Sequence, residues 1–318
     1  MAELSVDEQH AIASSGRAIW CIVGMLLIAV WIGGWATKLS FDLTSGIKAV
    51  LVIALCVAIS VYYRRWREDH WIAIGAETSA QLAAIMMLGM LLAYPLATAG
   101  FPYRDAELHS LDQWLGLDWQ AYLRFAADHP LFSLIGKAAY WSMGTQALFV
   151  IIALTAASKF GRLRQYILAV AGALVTTLAI FTFVPAGGAY LYLQIAPEAY
   201  ANLNPTVTFG PAEHLAALRA GTRFLISSDN LEGLVAFPSF HTECAVIFTW
   251  ALFALPKLRW WVAGLNAMLI GSAPVEGAHY FIDLIAGLVV APAAIYGAGL
   301  FMARVRLRSA IRLELRQA

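Results

Sequence analysis

"GSAPVEGAHYFIDLIAGLVVAPAAIYGAGLFMA", residues 271–303, joins a histidine and an aspartate to a long apolar run. Crossing the ~30 Å hydrocarbon core of a bilayer takes about 20 residues of helix, and the stretch from about 279 to 303 is long enough. Seven further runs of this kind precede it, at roughly 18–37, 47–63, 74–99, 131–157, 165–184, 238–255 and 259–275. The chain of 318 residues is 61% apolar and 13% charged, where a soluble domain carries about 25% charge. The fold class expected is all-α: a polytopic membrane helical bundle with about eight transmembrane helices.

Other classes fall away on composition. A net charge of +1 gives no electrostatic footprint for nucleic acid. The three cysteines, Cys21, Cys56 and Cys244, lie in apolar runs and outline neither a disulfide framework nor a metal site. The polar, acidic start "MAELSVDEQH" is unlike the basic start of a cleaved signal peptide.

Two long connections, roughly 100–130 and 185–237, separate the apolar runs. Placing the N-terminus inside puts two thirds of the 21 lysines and arginines on the cytoplasmic side, as the positive-inside rule requires. Both termini are then expected in the cytoplasm. Both long connections face outward, to the periplasm of a bacterial-type cell membrane. Three units are expected: N-terminal transmembrane helices over 1–100, a membrane domain over 101–303, and a basic cytoplasmic tail over 304–318. The tail alternates arginine with apolar residues and suits either a solvated end or an amphipathic helix on the inner leaflet.

The chemistry concentrates in two places. His279 and Asp283 are four apart, which on a helix puts them on one face. A carboxylate there can hold one imidazole nitrogen and leave the other free to act. "GLVAFPSFHTECAV", residues 233–246, carries His241 at the outer mouth of the sixth run. Between the two histidines lie one span going in, a tight basic turn and one span coming back, so His241, His279 and Asp283 should converge at one depth. Pro238 suits the first turn of a helix. The free amides of that turn form an anion site, to which Ser239 adds a hydroxyl. An anion held against two histidines and an acid suggests phosphoryl transfer.

"FPSFH" and "HYFID" resemble the second and third signature motifs of the type 2 phosphatidic acid phosphatase superfamily, written P-S-x-H and S-R-x5-H-x3-D. The resemblance covers about residues 105–290 and implies a six-helix phosphatase-like core. It implies His279 as the nucleophile that forms a phosphohistidine, Asp283 as its orienting acid, His241 as general acid and Ser239 as a phosphate ligand. The chain departs from the pattern in two ways. Ala273 stands where the third motif has arginine, and the first motif, K-x6-R-P, is absent. Both departures resemble the branch containing inositol phosphorylceramide synthase, as does "LDQWLGLDW" at 111–119.

Something must neutralise the phosphate. Arg219 and Arg223, four apart in "LRAGTRF", would share a face if that segment is helical, and arginine suits bidentate phosphate contact. They read equally as an interfacial pair meeting lipid headgroups. Glu243 points to another helix face from His241, to pair with these arginines or to line a wet cavity. Asp105, His109, Asp112, Asp118 and His129 fall in an aromatic-rich segment that suits an interfacial helix. No cofactor and no metal ion is expected. The expected partner is a membrane lipid phosphate. The leading reading is an integral-membrane lipid phosphate phosphatase. The alternatives are a lipid phosphotransferase and, behind it, a transporter, whose polar site would sit nearer the midplane.

Overall fold

The computed structural model describes residues 6–37, 39–196, 202–221, 225–227 and 231–317. Arg223 lies outside them. The element order is α1 (Val6–Thr37), β1 (Ser40–Phe41), α2 (Leu43–Arg65), α3 (His70–Ala97), α4 (Asp105–Trp114), α5 (Trp119–Asp128), α6 (Pro130–Trp141), α7 (Met143–Ala156), α8 (Phe160–Phe183), α9 (Ala189–Tyr192), α10 (Gly210–Arg219), β2 (Leu225–Ile226), α11 (Phe240–Leu252), α12 (Arg259–Glu276) and α13 (Phe281–Gln317). Every apolar run expected to be helical is helical, and the chain is a polytopic helical membrane protein.

Among the described residues, α1, α2, α3, α8 and α13 are each long and apolar enough to cross a membrane. The run expected as one span over 131–157 is two helices, α6 and α7, bent by 56°. The bend falls at Ser142. Its hydroxyl turns back onto the Ala139 carbonyl at 2.6 Å and accepts from Gln146 at 2.9 Å, a side-chain intrusion of the kind that bends helices. Counting the bent pair as one gives six spans. The remaining two runs form shorter helices: α11 has 13 residues and α12 has 18. The basic tail is continuous with α13, which runs unbroken to Gln317.

Local sequence sets several helix starts. Asp42, Asp69 and Asp118 cap α2, α3 and α5 by accepting backbone amides of the first turn. Pro130 opens α6, where its missing N–H costs nothing.

α8 lies at the centre and packs on α3, α11 and α13. One face of α8 carries a charge into the core. Arg164 is 1% exposed and donates to Glu77 and Gln81 of α3. Trp20 of α1 and Arg64 of α2 also donate to Glu77, so four helices meet on one carboxylate. At the other end, β1 pairs in parallel with β2, joining the α1–α2 loop to the second long connection.

Candidate active site

Ser239 is the N-cap of α11, with its Oγ accepting from the Thr242 amide at 3.4 Å and the Thr242 hydroxyl at 3.2 Å. The cap sets where the helix begins. Pro238, expected in the first turn, therefore stands one residue ahead of the cap. The Ser239 amide donates to the Asp283 carbonyl at 3.0 Å and ties α11 to α13. The approach is close because residue 287 is glycine. A Cβ there would lie 2.8 Å from the Ser239 carbonyl oxygen and 3.0 Å from Thr242 Cβ.

His279 is not on a helix. It sits in the turn ahead of α13, after Ala278 at a φ of +57°. The four-residue spacing still brings the pair together, because Asp283 lies in the first turn of α13 and reaches back. Asp283 Oδ2 is 3.2 Å from His279 Nδ1 and accepts the Tyr280 amide at 2.8 Å. This contact assigns the ring proton to Nδ1 and leaves Nε2 with a free lone pair. Both groups are buried, at 3% and 0% exposure.

His241 and His279 face each other with ring centroids 6.1 Å apart. The expected convergence of His241, His279 and Asp283 is therefore present. Tyr140 of α6, which the sequence did not single out, stacks on His241 with centroids 4.3 Å apart and 15° between planes. Its hydroxyl is 3.4 Å from His241 Nδ1. Gly277 makes room between them, since a Cβ there would be 2.6 Å from the Tyr140 hydroxyl and 2.8 Å from His279 Cδ2.

The other expected residues are placed differently. α10 ends at Arg219, and Gly221 takes a left-handed φ of +66° just beyond it, a common helix stop. The Arg219 guanidinium lies 4.0 Å over the Tyr103 ring, with no contact to either histidine. Glu243 is fully buried, and among the described residues its partner is not Arg219. It accepts the Thr177 hydroxyl of α8 at 2.6 Å, because its face of α11 turns into the core. Ala273, at the position of the motif's arginine, is fully buried against Tyr140 and Leu284.

Two acids of α4 belong here, although the sequence suggested an interfacial helix. Asp105 is 8% exposed and Asp112 fully buried. Asp105 accepts from the Gly187 and Gly188 amides and from the Tyr280 hydroxyl. Asp112 accepts from the Phe281 and Ile282 amides. Burial holds the Asp112 carboxyl above its ordinary range, and the two amides and nearby His109 offset only part of that rise. Among the described residues, no group of three or more His, Cys, Asp or Glu is arranged to hold a metal ion.

An imidazole held at Nδ1 by a buried acid and faced by a second imidazole can run nucleophilic catalysis through Nε2 with general acid assistance. A protein-family model described as PAP2 superfamily matches residues 106–297, well over half of the chain. No curated protein and no solved structure gives a match.

Proposed function

The chain belongs to the PAP2 superfamily, and from that premise we propose that it is an integral-membrane lipid phosphate phosphatase working through a phosphohistidine at the outer membrane face. Family membership supports an enzyme of the phosphoryl-transfer type. The observation that carries the finer reading is the facing pair His241 and His279, with Asp283 on His279 Nδ1.

In the proposed reaction, His279 Nε2 attacks phosphorus and the P–O bond to the lipid breaks. His241 gives its proton to the leaving oxygen. Water then attacks phosphorus, the P–N bond breaks, and the proton from water returns to His241. Asp283 holds the Nδ1 proton throughout and stabilises the positive charge that builds on the ring. Phosphate contacts come from the Phe240 and His241 amides at the start of α11, which have no partner within the helix, from Ser239, and from Arg219 and Arg223. An outer site follows from the excess of Lys and Arg on the opposite side.

A second reading, transfer to a hydroxyl of another lipid or polyol, is favoured by one observation: Ala273 and the missing first motif follow the inositol phosphorylceramide synthase pattern. Purified protein is to be offered phosphatidate, prenyl diphosphate, phosphatidylglycerol phosphate and a phosphorylated sphingolipid, with and without inositol. Phosphate release that inositol does not divert supports the phosphatase. Acid-labile label trapped on His279 and absent from His279→Ala is the expected intermediate. Label on any other residue refutes the scheme.

A further inference from the structure

Four successive residues at the catalytic turn are held by one segment that lies more than 150 positions earlier. Trp119 Nε1 donates to the His279 carbonyl at 3.0 Å. Asp105 Oδ1 accepts the Tyr280 hydroxyl at 2.9 Å. Asp112 Oδ2 accepts the Phe281 amide at 2.9 Å, and its Oδ1 accepts the Ile282 amide at 2.7 Å. Asp105 and Asp112 are seven apart, two turns along one face of α4. His109, between them, packs against the Tyr280 ring.

The two amides that Asp112 takes belong to the first turn of α13. They have no partner inside their own helix, and the residue that would cap them, Tyr280, has no side chain suited to it. Asp283 answers only the Tyr280 amide. The cap of α13 therefore comes from α4. It fixes the rotation of the first turn, and that rotation decides where Asp283 stands relative to His279.

We propose that Asp112 is a positioning residue for the reaction: its buried carboxylate, bound to the first two amides of α13, holds Asp283 on His279 Nδ1 and so keeps His279 in its attacking tautomer. The same carboxylate fills the anion site at this helix start, which leaves the substrate phosphate to the start of α11. Asp112 touches no substrate in this scheme, and the assignment rests on His279 being the nucleophile.

The test uses full-length protein in detergent, labelled with nitrogen-15 at histidine. The His279 ring signals are assigned by their loss in His279→Ala. Native protein should show the proton on Nδ1. Asp112→Ala should move a substantial share of the signal to the other tautomer, and Asp112→Asn, which keeps one acceptor oxygen, should fall between. With dioleoyl phosphatidate as the probe substrate, kcat should drop at least about 10-fold with KM within about 3-fold, since a shift of about 1 Å at a reacting centre costs up to about 100-fold. A general loss of stability would not move the ring signal of the folded fraction. If Asp112→Ala does not fold, Asp112→Asn is read by the same two measures. A native tautomer pattern in the folded variant overturns the proposal, as does an effect on KM alone. If native protein does not turn over phosphatidate, the ring signal decides. Phosphate release by His279→Ala would instead overturn the parent reading, and the two failures stay distinct.

Discussion

Gly277→Ala tests whether the gap between Tyr140 and His279 is as tight as the structure has it. Gly277 has a φ of −115°, which alanine adopts without strain, so the effect is steric alone. The added methyl would lie 2.6 Å from the Tyr140 hydroxyl, 2.8 Å from His279 Cδ2 and 3.1 Å from the Ala273 carbonyl oxygen. Ordinary contact begins near 3.4 Å, so Tyr140 and His279 must each give by about 0.6–0.8 Å. Neither is free to do so. Tyr140 is stacked on His241, and His279 is tied to Asp283 and Trp119. Overpacking of this kind costs about 1–3 kcal/mol in stability, and a misplacement near 1 Å costs up to about 100-fold in rate. We expect kcat to fall about 30–100-fold while the protein stays folded well above the assay temperature. The double variant Gly277→Ala/Tyr140→Phe removes the nearest clash and should recover about 1 kcal/mol of the loss, a coupling of the size seen between touching residues. Folded Gly277→Ala with kcat within about 3-fold of native would refute the reasoning.

Two further perturbations probe other parts of the molecule. Arg219→Ala should lower kcat about 100-fold if the side chain leaves Tyr103 for the phosphate, and Arg219→Lys should rescue poorly; near-native kcat in both would make it a headgroup anchor. Glu77→Ala leaves the buried Arg164 without its ion partner and should cost about 3–5 kcal/mol in detergent unfolding, whereas Glu77→Leu/Arg164→Met should recover most of it; equal losses in both would refute a paired role.

The pairing of His279 with Asp283 and its approach to His241 were legible because their signals are local or topological. His279 and Asp283 are four apart, and α11, α12 and the turn between them return the chain to His241. The membrane class was legible from composition. What was not legible depends on long-range contact. Asp112 meets Ile282 across 170 positions, and Trp119 meets His279 across 160. In sequence, those acids and aromatics have the look of a polar surface helix. Tyr140 gave no signal, because a tyrosine in an apolar run is common. The break between α6 and α7 turns on one serine, a residue that apolar helices also carry without bending. Glu243 reads in sequence as lying on another helix face from His241, but which neighbour that face meets is a long-range matter, and it leads to Thr177.

α11 has a further consequence through its length. Thirteen residues rise about 20 Å as helix, roughly 10 Å less than the hydrocarbon thickness. If its Leu252 end lies level with the inner leaflet's surface, Ser239 and His241 sit well below the outer one. Under the proposed lipid phosphatase reading, the lipid's charged group must then sink, or the leaflet must dip toward it, at a cost of a fraction of a kcal/mol for each ångström. A thin bilayer supplies that dip in advance, and a thick one opposes it. In the proposed reaction, the depth of the histidines makes membrane thickness a variable in the rate, set by the length of α11.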